Sequence, residues 1–196
     1  MSWKTKKQLA LFALGIMGTT LPVAGYGATF SIAAAGNGAK AASSNKTRSF
    51  DSDELLGYGA GALLEFGGGM LGTETGLIYV QRAIGYSSAI KETSTWVEVP
   101  VLLRLHAGGF SLGAGGYLAR GVGSIKADIA STTTSLSYSD AQLSNLDYGF
   151  SGALGYTFPF KAFVDIRYNA GLKNLSKVDD VTYKFSEFQL FLGYRF

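Results

Sequence analysis

The stretch KAFVDIRYNAGL, residues 161–172, alternates between two kinds of side chain. Its even positions are apolar or small: Ala162, Val164, Ile166, Tyr168, Ala170 and Leu172. Its odd positions are mostly polar or small: Lys161, Phe163, Asp165, Arg167, Asn169 and Gly171. Successive side chains of a β-strand point to opposite faces, so this alternation predicts a strand with one apolar face and one polar face.

The same period recurs along the chain. It is clear in GYGAGALLEF (57–66), WVEVPVLLRL (96–105), GFSLGAGGYLARG (109–121), DYGFSGALGYTF (147–158) and FQLFLGYRF (188–196). The stretch ETGLIYVQRAIGY (74–86) is apolar on both faces, so its phase stays open, and TFSIAAAG (29–36) is a candidate first strand. The sequence therefore predicts an all-β protein of eight strands.

The predicted connections alternate in length. Long polar connections are expected at 37–54, 121–143 and 173–182, a shorter one near 87–94, and tight links at 67–71, 106–109 and 158–161. An even number of strands with long loops at one end and short turns at the other is typical of an antiparallel, up-and-down outer-membrane β-barrel. Closing the sheet into a barrel also pairs the backbone N–H and C=O groups of its edges, which lipid cannot hydrogen-bond.

The apolar face is predicted to contact outer-membrane lipid. Aromatic residues expected in the girdles are Tyr58, Phe66, Tyr79, Tyr148, Phe158, Tyr168, Tyr194 and, at the periplasmic rim, Phe196. The alternative is a soluble, lipocalin-like barrel with its apolar face inside. Its surface would then consist of Gly, Ala and a few charges, whereas soluble surfaces are charge-rich.

The N-terminus has the order of a secretory signal peptide. Lys4, Lys6 and Lys7 precede an apolar run at 9–17, and small residues follow at 24–28. We expect cleavage after Gly25 or Gly27, giving a signal peptide at 1–27 and a barrel domain at 28–196. A membrane-anchoring helix is the alternative, but the uncharged run is short for a span and ends at Pro22.

Charge and cysteine content exclude several classes of protein. The chain has 17 Lys and Arg against 14 Asp and Glu, and three of these lysines lie in the predicted signal. The mature chain is therefore balanced, and its charge gives no support for nucleic-acid binding. The chain has no cysteine, so it has no disulfide framework.

Three stretches resemble a known family: EVPVLLRL (98–105), FVDIRYNAGLKNLS (163–176) and the closing FQLFLGYRF (188–196). They resemble the PorT-type outer membrane β-barrel domain family, often labelled porin family. The resemblance covers most of the mature chain and lies in strand patterns rather than in chemistry. It implies that the terminal strand, with Tyr194 and Phe196, is similar to the signal read by the barrel-assembly machinery.

If the apolar face is outside, the charged face lines the lumen. The predicted polar network consists of Glu65, Glu98, Arg104, Asp165, Arg167, Glu187, Gln189 and Arg195, with Glu74 and Arg82 as possible members. Buried charges must be paired and hydrogen-bonded, and eight strands leave an interior just filled by side chains. We therefore expect a structural ion-pair network, with a narrow pore for small solutes as the alternative.

No catalytic, metal-binding or cofactor site is predicted. An outer-membrane lipid-modifying enzyme would need a base within reach of its nucleophile, and the chain's one histidine, His106, is expected in a solvated periplasmic turn. The acidic stretches 51–54 and 179–180 lack the spacing of a calcium loop. The Ser/Thr-rich segment 130–145 is predicted to be a mobile surface loop, available to an extracellular or envelope protein partner. An adhesin or an accessory subunit of an envelope machine is therefore a further alternative.

Overall fold

The computed structural model describes residues 27–44, 49–87, 90–129 and 132–196. The predicted signal peptide at 1–27 lies outside the described residues, except for Gly27. The described part of the chain contains no helix that is long and apolar enough to cross a membrane.

The described residues form strands almost throughout. The strands are β1 (Ala28–Ser44), β2 (Ser49–Asp51), β3 (Asp53–Gly68), β4 (Leu71–Ser87), β5 (Ile90–Ala107), β6 (Phe110–Ile129), β7 (Thr132–Leu136), β8 (Leu146–Thr157), β9 (Ala162–Gly171) and β10 (Thr182–Arg195). Short β2 pairs with β1, and short β7 pairs with β6.

The other eight strands close into one antiparallel barrel. Its order is β1, β3, β4, β5, β6, β8, β9 and β10, and β10 then pairs back with β1 from Ser31↔Arg195 to Ser44↔Thr182. The predicted eight-stranded, up-and-down barrel is therefore confirmed. The long closing ladder also explains why the terminal strand stays regular almost to the last residue, because its backbone groups are paired on both edges.

The alternation predicted for the strands separates two faces. Ile166 is 50% exposed, whereas its neighbour Arg167 is 1% exposed. The phase of 74–86 is now fixed, because Leu77 and Tyr79 are exposed while Ile78 is buried. We call the exposed apolar surface the outer band; its central row pairs Leu154, Ile166 and Leu190.

Aromatic residues lie at both ends of the outer band. Tyr168 packs on Phe188 with ring centroids 4.7 Å apart, and Phe30 packs on Phe196 at 5.8 Å. A continuous apolar surface rimmed by exposed aromatic rings suits lipid and not water. The fold is therefore that of a membrane-spanning, outer-membrane-type β-barrel.

Three predicted tight links are confirmed at one end of the barrel, which we call the turn end. They join β3 to β4, β5 to β6 and β8 to β9. Gly69, Gly108 and Gly109 have φ values of 72°, 55° and 91°, a region that glycine enters without steric cost. The opposite end is called the mouth end.

Most of the predicted long connections at the mouth end are wrong. β1 continues to Ser44, β6 continues to Ile129, and β5 begins at Ile90 within the predicted connection 87–94. On these segments the inward face is apolar, as at Ala39 and Ile125, while the outward face carries polar residues such as Lys40 and Lys126. Their backbones remain paired, as in Lys40↔Ser186. The predicted connection at 173–182 is confirmed, since β9 ends at Gly171 and β10 begins at Thr182.

The stretch 130–145, predicted as a surface loop, contains strand β7, and residues after β7 are hydrogen-bonded to a distant segment. After β7, residues 137–145 pack against residues 172–181 at the mouth, with Tyr138 and Leu175 buried in the apolar cluster beneath, and we call these two segments the cap. Ser144 N–H donates to the Leu175 carbonyl at 2.7 Å, and Lys177 N–H donates to the Gln142 carbonyl at 2.9 Å. Tyr138 is only 8% exposed because its ring packs edge-on against Trp96, with centroids 5.5 Å apart.

Candidate functional site: the barrel interior

The eight predicted lumen residues all lie on inward-facing positions. Six are buried: Glu98, Arg104, Asp165, Arg167, Glu187 and Gln189. Glu65 and Arg195 are partly buried at the turn end. The structure divides the charged residues into three groups, and Arg82, which was only a possible member of the predicted network, is the residue that contacts Glu98 and Glu187.

The first group is centred on Arg82 of β4. Its guanidinium binds Glu98 Oε1 at 2.7 Å, Asp147 Oδ2 at 3.0 Å and Glu187 Oε2 at 2.9 Å. These carboxylates come from β5, β8 and β10, so one side chain ties together four strands around the lumen. We call Arg82, Glu98, Asp147 and Glu187 the Arg82 group.

Neutral side chains donate further hydrogen bonds to the carboxylates of the Arg82 group. Asn37 Nδ2 donates to Glu187 Oε1 at 2.7 Å, and Tyr117 donates its hydroxyl proton to Asp147 Oδ2 at 3.1 Å. Gln189 Nε2 and Asn169 Nδ2 both donate to Glu98 Oε2, at 3.0 and 3.3 Å. These donors offset part of the cost of removing the carboxylates from water.

The second group lies closer to the turn end and pairs two arginines with two acids. Arg104 contacts Asp165 and binds Glu74 Oε2 at 2.8 Å. Arg167 binds Glu74 Oε1 at 2.7 Å and Asp165 Oδ2 at 3.1 Å. The charges of this group are balanced, and the planar guanidinium suits bonds to two carboxylates at once.

The third group lies at the rim of the turn end. Glu65 contacts His106 Nε2 at 2.5 Å and Arg195 Nη1 at 3.2 Å. The expectation that His106 is a solvated turn residue is wrong. It belongs to β5, and its side chain turns towards Glu65 because their strands both pair with β4.

Glycines make room for the large inward side chains. Arg104 pairs in register with Gly72 on one neighbouring strand and Gly113 on the other. A Cβ atom at Gly113 would lie 3.1 Å from Arg104 Cδ, and one at Gly57 would lie 2.8 Å from Asn37 Oδ1. Part of the high glycine content is therefore required by the width of the lumen side chains.

The mouth half of the interior is apolar rather than charged. The Arg82 guanidinium lies 4.9 Å from the Trp96 ring centroid and 5.1 Å from that of Phe185. These rings belong to a buried cluster that includes Ile84, Tyr138 and Leu175. Two surface grooves, of about 570 and 680 Å³, open on the outer band and not into this interior.

The interior chemistry is that of ion pairing. The described residues contain no group of three or more His, Cys, Asp or Glu side chains that could hold a metal ion. In the Arg82 group, the guanidinium itself lies between the three carboxylates, where a cation would otherwise bind. The arrangement binds strands to one another and presents no activated nucleophile.

Several interior residues were missed by sequence reasoning. Asp147 and Asn169 stood on the polar faces of predicted strands, so the alternation itself was a sufficient signal for them. Asn37 fell in a predicted connection, although it continues the alternation of β1. The role of Tyr117 depends on a contact across the lumen, and no local pattern indicates it.

Comparison with known proteins gives structural similarity only. No protein-family model and no curated protein matches this chain. Solved structures do match. One is the Neisserial surface protein A, with 17% identity, a TM-score of 0.47, and coverage of 87% of this chain and 99% of that chain. Another is Ail, the attachment invasion locus protein of Yersinia pestis, in complex with a heparin analogue, with 16% identity, a TM-score of 0.45, and coverage of 85% and 99%.

A third similar structure is the outer membrane protein OprG from Pseudomonas aeruginosa. It has 12% identity and a TM-score of 0.43, and the match covers 86% of this chain and 95% of that chain. At these identities and scores, similarity to the three proteins does not identify the function of this chain.

Proposed function

We propose that the chain is a non-enzymatic outer-membrane barrel whose interior is structural filling and whose mouth end is a recognition surface. The observation that carries this proposal is the Arg82 group. One buried arginine binds carboxylates from three other strands across the lumen. These charged side chains therefore fill the lumen and bind one another rather than a solute.

The orientation follows from the two ends. Outer-membrane barrels have short turns in the periplasm and longer segments outside. The turn end therefore faces the periplasm, and the outer band contacts membrane lipid. The cap and the mouth ends of β1, β5 and β6 face the exterior. Such segments on a rigid scaffold are suited to binding an extracellular or envelope protein partner.

A narrow pore is the second candidate, and conductance distinguishes the two. In planar bilayers we expect the wild-type protein to give no current above that of the lipid. Tyr138→Ala, which removes the inward ring of the cap, should also stay closed because the Arg82 group lies beneath it. Steady conductance in the wild type would contradict a filled interior, and conductance in Tyr138→Ala alone would make the cap a gate.

We further propose kinship with the PorT-type family and recognition of the terminal strand by the barrel-assembly machinery. The support is the sequence resemblance together with the end of β10, where Phe196 N–H donates to the Phe30 carbonyl at 2.8 Å. Loss of one partly exposed ring should cost only about 1–3 kcal/mol of burial. Phe196→Ala should therefore refold in detergent but assemble poorly in cells; normal assembly in cells would refute the signal.

A further inference from the structure

A carboxylate lies at the mouth of the barrel, above the apolar cluster. Tyr86 donates its hydroxyl proton to Glu92 Oε2 at 3.1 Å, and the Tyr86 and Tyr183 hydroxyl oxygens are 2.7 Å apart. Tyr86 and Glu92 belong to the β4–β5 hairpin, whereas Tyr183 reaches them from β10 on the other side of the barrel. The three side chains therefore meet across the mouth.

Glu92 has neutral donors around it and no cation of the described chain. Glu92 lies near the mouth end of β5, outside the outer band. None of the salt bridges between described residues involves it. Burial raises the pKa of the Glu92 carboxyl, and the tyrosine hydroxyls only partly oppose this. A partly buried carboxylate of this kind is stabilised by a positive charge.

Two exposed isoleucines adjoin this carboxylate. Ile90 and Ile129 pair in register at the tips of β5 and β6 and are 38% and 51% exposed. Ile90 is two residues from Glu92, so both side chains lie on the same face of β5. An aliphatic surface next to a carboxylate is complementary to a ligand that has an apolar stem and a cationic head.

We propose that Glu92, Tyr86, Tyr183, Ile90 and Ile129 form a binding site for an alkylammonium group. The ammonium binds the Glu92 carboxylate, and the aliphatic stem lies against Ile90 and Ile129. The proposal rests on the proposed function, because it requires the mouth end to face the exterior. The group has two possible sources, a free amine or the lysine side chain of a partner protein.

The test is calorimetric titration of the refolded full-length barrel with n-hexylammonium, with n-hexanol as the neutral counterpart. Only hexylammonium brings a positive charge to the Glu92 carboxylate, so it should bind at least about tenfold more tightly than hexanol. Equal binding of the alcohol would overturn the site even if no variant could be refolded.

Glu92→Gln keeps the shape of the side chain and removes its charge, so it should lose that preference for hexylammonium. The matched control is Asp128→Asn. Glu92 of β5 pairs with Ala127 of β6, and Asp128 is the next residue of β6, so its side chain lies on the opposite face of the β5–β6 hairpin. There the Thr133 hydroxyl donates to Asp128 Oδ1 at 2.6 Å. Asp128→Asn should leave binding unchanged; equal loss in both variants would mean nonspecific charge attraction and would overturn the proposal.

Two further titrations separate the sources of the ligand. Binding of hexylammonium with exclusion of N-acetyl-lysine methylamide supports a free amine, whereas binding of both supports a lysine of a partner protein. If none of these ligands binds, the site is overturned, but the proposal of a closed, non-conducting barrel is unaffected. The conductance measurement tests that barrel separately.

Discussion

Arg82→Met is expected to lower the free energy of unfolding by about 3–5 kcal/mol, because it leaves buried carboxylates without their cation. Methionine keeps much of the side-chain length, so the loss of packing is small. The whole Arg82 group is at most 2% exposed, which prevents water from replacing the guanidinium. Urea unfolding in lipid vesicles measures the change.

The matched control is Arg120→Met on the outer face of β6. Arg120 is exposed, so its replacement should change stability by no more than about 0.5 kcal/mol. Adding Glu98→Gln and Glu187→Gln to Arg82→Met should restore part of the loss, because fewer charges then remain unpaired. Equal effects of Arg82→Met and Arg120→Met would show that the interior is hydrated and that the Arg82 group is not a structural centre.

The period of the sequence predicted the parts of the fold that the membrane constrains. Within the outer band, every second residue must be apolar, so strands such as 161–172 and 96–105 could be recognised locally. Their inward faces followed from the same alternation, and this placed Glu98, Arg104, Asp165 and Arg167 in the interior. Their partners depend on the order and tilt of the strands, which local patterns do not contain.

The sequence misled where the membrane constraint ends. Beyond the outer band, the outward face of a strand need not be apolar, and the inward residues here are mostly small, so β1 from Asn37 and β6 from Gly121 resembled loops. The strand 74–86 had no clear phase because its inward residues Ile78, Val80 and Ile84 are apolar and pack in two buried apolar clusters. Arg82 lies on this strand, and its central role was therefore seen only as a possibility.

The cap required information from distant segments. The first cap segment lies in the Ser/Thr-rich stretch 130–145, and such a composition is typical of exposed loops. Tyr138 enters the mouth because Gly121 leaves room for it, and a Cβ atom at Gly121 would lie 2.4 Å from the Tyr138 ring. Complementarity between a ring and a glycine on another strand is a tertiary property.

The second large effect is expected at Ile166. Its side chain occupies the central row of the outer band, between Leu154 and Leu190 on the neighbouring strands. A lysine near the middle of a bilayer destabilises a membrane β-barrel by about 2–4 kcal/mol, because its charge must leave water or distort the lipid. Ile166→Lys should therefore be strongly destabilising although the wild-type side chain is half exposed.

Thr182→Lys is the matched control, since Thr182 begins β10 at the mouth end, beyond the outer band. The central claim is that the exposed apolar face contacts lipid while the charged face is buried inside. Its most direct test is the unfolding free energy of these two variants in lipid vesicles. We predict a loss of about 2–4 kcal/mol for Ile166→Lys and almost none for Thr182→Lys. An Ile166→Lys protein as stable as the wild type would contradict the claim, because the outer band would then face water.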